Sequence, residues 1–440
     1  MAQFFKPQPK PRTFTTLELV IDSLDLHGVG VARDKGKAIF VEGAMPGERV
    51  RVRIVEEKKQ HAFAQLLQLL EPSAQRQEPF CPNYDQCGGC STQHLSSSMQ
   101  LDVKVDGVRQ IFRRLSGHEL GAPDFVQTSA TEKYRRVCRL SIKYDKKARC
   151  ARLGFRRRLS HELVEVEACP VLASSLSALI VPLRQLCNRL KSFRDLGHIE
   201  LCESDDGVVL LVRHNGTPSE NDLALVQGFA QSHHLICFIQ TEGEPRQLTG
   251  SRSPCYRVDG VEVAFAPGDF LQVNRTVNEQ MVAKVLEWLA PVADDKVLDL
   301  FCGLGNFTLP IAKMAGEVVG VEGVLPMVHR ARENAERNGL TNVRFFQCDL
   351  AAPFTDMPWA KERFGLVLLD PARPGAAETI VHLLKLSPRR LVYVSCNPVT
   401  AARDSQSLLN AGYRLTRWGL FDMFPHTGHV ETILLFEKLE

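Results

Sequence analysis

A chain of 440 residues is more than one hydrophobic core usually serves, so two or three domains are expected. With 44% hydrophobic and 24% charged residues the composition argues against wholesale disorder, and no apolar run approaches the roughly 18–20 residues of a membrane helix. The net charge of +3 decides little; thirteen cysteines, an odd number behind an N-terminus without the apolar stretch of an export signal, read as reduced thiols of a cytoplasmic protein.

Residues 1–14, rich in Pro and Lys, read as a flexible tail. Over 15–72, short β-branched runs (LELVID, GKAIFV, ERVRVRIVEE, HAFAQLLQLL) alternate with turn signals (HGVG, DKGK, AMPGE), which predicts a small antiparallel barrel of oligonucleotide-binding dimensions. The pattern resembles the TRAM domain of RNA-modifying enzymes, while a purely structural or dimerising β-domain is the plainer alternative. Residues 73–262 mix strands and helices, starting with a cysteine-dense stretch and a helix over Leu101–Leu115 whose Leu101, Val105, Val108, Phe112 and Leu115 share one face. Between Lys133 and Arg158 this region carries twelve Lys or Arg against one acid, Asp145, with Tyr134, Tyr144 and Phe155 interleaved, as a surface tracking phosphates and stacking on unpaired bases would. From 263 to 440 the pattern turns to strand, loop, helix repeated, the signature of a doubly wound sheet. The expected fold class is therefore α/β: a C-terminal Rossmann-like domain, an N-terminal small barrel and a central α+β domain.

CPNYDQCGGC brings Cys81, Cys87 and Cys90 close together, with two glycines in the last turn. The candidate fourth thiolate is Cys169 in EACP, where Pro170 follows the cysteine as Pro82 follows Cys81. Four thiolates suit zinc or an iron–sulfur cluster equally well. Cys138, Cys150, Cys187, Cys202, Cys237, Cys255, Cys302 and Cys348 read as small buried hydrophobes.

The strongest cofactor signal is KVLDLFCGLGNFTLPIA, an apolar strand entering a loop turned by Gly303 and Gly305 and then a helix, the place where an α/β sheet opens a ligand crevice. The third glycine of the dinucleotide fingerprint is absent. Succeeding strands end in Glu322, suited to two ribose hydroxyls, in Asp349, suited to an adenine amino group, and in Asp370. Each acid alone would be read as a cap; as a series they resemble class I S-adenosylmethionine methyltransferases. DPAR at Asp370–Arg373 lacks the aromatic residue of the amino-group methyltransferase motif, which argues against that chemistry.

A further strand ends in Ser395-Cys396-Asn397-Pro398, and Glu431 opens the last one. Carbon 5 of uracil is a poor nucleophile until a group adds to carbon 6, a task for a thiolate, and a carboxylate can then remove the C5 proton. Cys396 and Glu431 supply that pair. CGGC, LDLFCGLGNFTLP, LLDPAR, YVSCNP and DMFPHTGHVE together resemble the bacterial 23S rRNA (uracil-5-)-methyltransferases that act on uridine 1939, over nearly the whole chain. The resemblance implies S-adenosylmethionine contacts at Gln272, Phe301 and Asn306 as well, a 4Fe-4S cluster on Cys81, Cys87, Cys90 and Cys169, and a loop uridine of 23S ribosomal RNA, single-stranded and flipped from its stack. It implies a monomer working in the cytoplasm, with neither membrane nor DNA as partner. Rival readings are another rRNA or a tRNA uridine, a non-catalytic RNA-binding assembly factor, and DNA cytosine methylation. Ser395 before Cys396, where the last uses Pro-Cys, counts against it.

Overall fold

Alternate burial along Arg49–Glu57 and His61–Glu71 turns Val50, Val52, Ala62 and Ala64 to one face and leaves arginines and glutamines on the other. The computed structural model describes residues 15–438, so the tail expected over 1–14 lies outside the described residues. Six strands (Thr16–Val20, Ser23–Leu24, Gly30–Asp34, Lys37–Val41, Arg49–Glu57, His61–Glu71) make one sheet in the order first, fifth, sixth, fourth, third, second around a small core of Leu19, Ile21, Ile39, Val41 and Val50. Fully buried Glu48 accepts hydrogen bonds from the Met45 and Ser73 amides at 2.8 and 3.1 Å and pairs with Arg76 at 2.7 Å. The chain leaving the barrel is thereby fastened to it.

By contact density the chain divides into two units. One comprises the chain up to Pro79, Ser91–Gly107 and His426–Gly428; the other comprises Phe80–Cys90, Val108–Pro425 and the chain from His429. The helix expected over Leu101–Leu115 begins earlier, at Ser97, because the Ser96 hydroxyl accepts from the Met99 amide at 3.2 Å and caps it. Its buried residues are Gln100, Lys104, Val108 and Phe112, while Leu101 and Val105 of the expected stripe are half-buried and Leu115 is exposed.

The second unit contains two large sheets. Seven strands, ordered Leu163–Glu165, Cys150–Arg156, Val137–Asp145, Leu196–Ser204, Gly207–His214, Ile236–Gln240 and Arg246–Gln247, carry helices Ile180–Arg189 and Glu220–Ser232. The other sheet runs Val343–Gln347, Glu317–Glu322, Lys296–Leu300, Leu366–Leu369, Arg390–Ser395, Glu431–Lys438, Tyr413–Phe421 and Val126–Gln127. Its first five members are parallel; the four inner ones are mostly apolar and buried, as coverage of both faces requires, while the edge strand Val343–Gln347 buries only Phe345. Glu431–Lys438 is antiparallel to its neighbours, and the short strand from Val126 extends the edge. Chain order reverses direction on either side of Lys296–Leu300, which opens a crevice at the carboxyl ends of the strands. One core joins Val209, Leu211 and Phe238 of the seven-stranded sheet to Val285, Val297 and Leu366 of the parallel one.

Candidate active site

At the end of Lys296–Leu300 the chain turns through Phe301, Gly303 and Gly305 with φ of 68°, 56° and 91°. Two glycines tolerate this left-handed path freely, and a side chain at Gly305 would come within 2.9 Å of Leu309. Phe301 has no such freedom; its strain sits where sequence reasoning puts the cofactor. Glu322, ending the next strand, accepts from the Gly303 amide at 3.2 Å and the Val324 amide at 2.9 Å, so one carboxylate sets the spacing of the two loops. Asp349 is exposed beyond the third strand and accepts from the Ala351 amide at 3.0 Å.

Asn306 stands at the entry to helix Thr308–Ala312. Its carboxamide exchanges hydrogen bonds with that of Asn278 at 2.9 and 3.0 Å, and its oxygen accepts from the Tyr256 hydroxyl at 3.0 Å. Gln272 is half-buried, and its carbonyl accepts from Arg136 at 2.8 Å.

Cys396 and Glu431 are brought together by strand register. Ser395 pairs with Thr432 on the antiparallel ladder, so one further step sets Cys396 opposite Glu431. The Thr432 hydroxyl also donates to the Ser395 carbonyl at 3.2 Å. Burial pushes the Cys396 thiol up to about 11, helped by the charges of Glu431 and Asp370, while Arg373 opposes. Glu431, only 6% exposed, is held well above the usual carboxylate range by burial and by Asp370, again opposed by Arg373. Burial likewise raises Asp370 to about 7. A neutral thiol and a neutral carboxyl thus share a partly buried corner in which any incoming cation favours their ionised forms.

The loop after Asp370 is fixed from helix Pro398–Asn410. The Asn397 amide group, which also caps that helix, donates to the Arg373 carbonyl at 3.0 Å, and Asp404 accepts from the Ala376 amide and the Tyr393 hydroxyl, each at 2.7 Å. A side chain at Gly375 would meet Asp404 at 2.5 Å, so glycine is required there.

Sequence reasoning missed Arg373, although the DPAR motif contained it, and Asp299, whose signal was an acid inside an apolar strand. Asp299 is fully buried, accepts from the Thr308 hydroxyl at 2.5 Å and is raised by burial to about 7. Tyr256 and Asn278 carried no signal at all.

The proposed metal ligands lie within one another's electrostatic reach. Burial raises the Cys87 and Cys169 thiols, Cys81 raises both further, and Cys87 acts on Cys169; Cys90 and Cys169 both act on buried Tyr134. Among the described residues, however, no three His, Cys, Asp or Glu side chains converge into a metal-holding group. Thiolate sites are commonly drawn together by the metal they bind, and the donor set fits such a group chemically.

The basic segment is less of an open surface than its charge implies. Tyr134 is buried with its hydroxyl on the Pro425 carbonyl at 3.1 Å, Tyr144 packs on Phe193, and Phe155 packs against the central core, so the expected base-stacking role is not available to Tyr134. Arg139 pairs with Glu200, Arg152 with Glu165 and Arg157 with Glu162. Lys143, Lys146, Lys147 and Arg149 remain exposed on the hairpin Val137–Arg156.

A switch-point crevice with a glycine loop and acids at successive strand ends, with a thiol beside a carboxyl at its edge, define a class I methyltransferase fold and site. Residues 257–439 match the tRNA (Uracil-5-)-methyltransferase family, and residues 12–67 match the TRAM domain. Over its full length the chain is 55% identical to the 23S rRNA (uracil(1939)-C(5))-methyltransferase RlmD of Aeromonas salmonicida and 53% identical to that of Tolumonas auensis, covering 100% of both. The crystal structure of Pyrococcus abyssi tRNA (uracil-54, C5)-methyltransferase with S-adenosyl-L-homocysteine superimposes with a TM-score of 0.74 at 26% identity, over 96% of this chain and 100% of that one. The chain belongs to the S-adenosylmethionine-dependent RNA uracil-5-methyltransferases, and within them to the RlmD family.

Proposed function

We propose that this protein methylates carbon 5 of uridine 1939 in 23S rRNA, with Cys396 as nucleophile and Glu431 as base. The observation that carries the reading is the register that sets Cys396 opposite Glu431 on the sheet whose strand Lys296–Leu300 runs into the glycine loop. S-adenosylmethionine supplies the electrophilic methyl group. The Cys396 sulfur, its proton released to solvent, forms a bond to C6, and the C5–C6 electron pair moves onto the ring as an enolate. C5 then takes the methyl group, with the old carbon–sulfur bond leaving its electrons on the departing thioether. Glu431, having first given up its own proton to solvent, removes the C5 proton, the double bond re-forms, and the Cys396 thiolate leaves. Phe301, Asn306, Glu322, Asp349, Asp370 and Gln272 are assigned to the cofactor, because they cluster on the strand ends and the two loops facing them.

The target base must leave its stack to be reached from both faces, so the substrate is a single-stranded loop uridine. The exposed cations of hairpin Val137–Arg156 and the TRAM domain are the surfaces assigned to RNA. One chain provides the thiol, the carboxyl and every cofactor loop, in keeping with a monomer, and a ribosomal substrate implies the cytoplasm. No described helix is long and apolar enough to cross a membrane. Cys81, Cys87, Cys90 and Cys169 are assigned to a 4Fe-4S cluster with a structural task, since methyl transfer from a sulfonium to carbon exchanges no electrons with the protein.

A tRNA uridine is the second reading, favoured by the Pyrococcus likeness; 55% identity to the ribosomal enzyme against 26% ranks it second. Labelled S-adenosylmethionine offered with unmodified 23S rRNA fragments and with tRNA separates them. The expected product is 5-methyluridine at position 1939 alone, absent with Cys396→Ala; label in tRNA only would replace the first reading by the second.

A further inference from the structure

Arg136 belongs by sequence to the basic segment, yet only 4% of it is exposed. Its backbone is fixed on both sides: the amide donates to the Val273 carbonyl at 2.8 Å, and the carbonyl accepts from the Glu203 amide at 2.8 Å. Its guanidinium performs two tasks at once. Nε donates to the Gln272 carbonyl at 2.8 Å, and the plane lies 4.7 Å from the centre of the Tyr256 ring. Tyr256 in turn donates its hydroxyl to Asn306 at 3.0 Å, and Asn306 is locked to Asn278. One side chain from the segment entering strand Val137–Asp145 thus ties the Gln272 segment to the loop that ends in Asn306.

We propose that Arg136 is a positioning residue of the cofactor crevice, bracing Gln272 directly and Asn306 through Tyr256. This rests on the cofactor role given above to Gln272 and Asn306. A core arginine kept only for packing would be expected to have its charge matched. Here Nη2 is buried without a hydrogen-bond partner among the described residues, and Asp205, which acts on the guanidinium through space, is bonded to Arg275 at 2.6 Å. Burying a donor unpaired costs free energy that an apolar residue of similar length would avoid. What an apolar residue lacks is the combination of a flat cationic face for Tyr256 and an edge donor for the Gln272 carbonyl; lysine, a point charge on a flexible stem, reproduces it incompletely.

Calorimetric titration of S-adenosylhomocysteine into the full chain without RNA tests this. Arg136→Met is expected to weaken binding about tenfold, as outer-shell substitutions do, with Arg136→Lys recovering part of the loss. RNA affinity, measured separately, should stay within about twofold. In a Gln272→Ala background Arg136→Met should weaken binding much less, because the group it positions is gone. Unchanged affinity in a folded Arg136→Met, an equal loss with and without the Gln272 side chain, or a loss confined to RNA would overturn the proposal. Should Arg136→Met fail to fold, Tyr256→Phe, which removes one hydroxyl, carries the test; weaker cofactor binding is expected and unchanged binding overturns the brace. If Gln272→Ala alone leaves the affinity intact, the cofactor role of Gln272 has failed instead, and Tyr256→Phe decides on Arg136.

Discussion

Cys396 carries its proton in the ligand-free site, because burial and the neighbouring carboxyls Glu431 and Asp370 hold its thiol near 11. A raised thiol is unreactive below that pH and gains thiolate about tenfold per unit as pH rises towards it. Alkylation of Cys396 by iodoacetamide, followed by mass spectrometry of its peptide, is therefore expected to accelerate about tenfold per pH unit from 7 to 9 in the free protein. A sulfonium bound beside the thiol favours the thiolate. Sinefungin, which carries a protonated amine at the methyl position, should speed alkylation at pH 7 relative to S-adenosylhomocysteine where access is equal. A rate independent of pH would mean the corner is wetter than its burial implies. At this scale candidates were legible in the sequence where chemistry is local: Cys396 and Glu431 are the pair proposed from what uracil demands, and Glu322 is proposed from its distance after the glycine loop. Arg136, Tyr256 and Asn278 were not, because each acts through a partner at least 28 residues away in the chain, as in Asn278 to Asn306.

The loop from Asp370 to Gly375 is an element whose position depends on helix Pro398–Asn410. Asp404, fully buried, is the single acceptor shared by the Ala376 amide, the Tyr393 hydroxyl and Arg403 at 2.7–2.8 Å. Asp404→Ala strands an amide and a hydroxyl in the core. It is expected to cost about 3 kcal/mol in urea denaturation and to lower kcat more than it raises KM for S-adenosylmethionine, since Arg373 and Asp370 adjoin the reacting pair. A stability loss under about 1 kcal/mol would show that water takes over the acceptor's role. The parallel strands were readable from apolar runs punctuated by acids, because burial on both faces leaves so little choice of residue. The reversal of the final strand was not, since Glu431–Lys438 has the same apolar pattern whichever way it runs. The helix starting at Ser97 was read too short for a similar reason: its first turn, SSMQ, is polar and carries no apolar period.

Across the whole molecule the N-terminal β-domain and the methyltransferase half were legible from pattern, although Lys37–Val41 pairs in parallel with His61–Glu71 where an antiparallel barrel was expected, and the basic segment was misread in part. Charge counted along a sequence does not reveal which arginines meet a glutamate in the fold, and Arg139, Arg152 and Arg157 all do. Among the exposed cations left over are those near the hairpin turn, where Asp145 accepts from the Lys147 and Ala148 amides at 2.9 and 3.0 Å and holds the tip in shape. Replacing Lys146, Lys147 and Arg149 together by Ser should weaken RNA binding and reduce the slope of log affinity against log salt by about 2, with no change in S-adenosylhomocysteine affinity. An unchanged slope would assign RNA binding to other surfaces. The cysteine set is the other feature of this scale: its members were found by composition, and iron content of anaerobically purified protein decides what they hold.

In the proposed mechanism Cys396 bonds to the uracil and Glu431 releases it. Glu431→Gln incubated with S-adenosylmethionine and a 23S rRNA fragment containing uridine 1939 should stall after methyl transfer, leaving a covalent protein–RNA complex that survives denaturation and joins Cys396 to the methylated base. If Glu431→Gln instead turns over at the native rate, or the complex that forms persists in Cys396→Ala, the assignment of nucleophile and base is wrong.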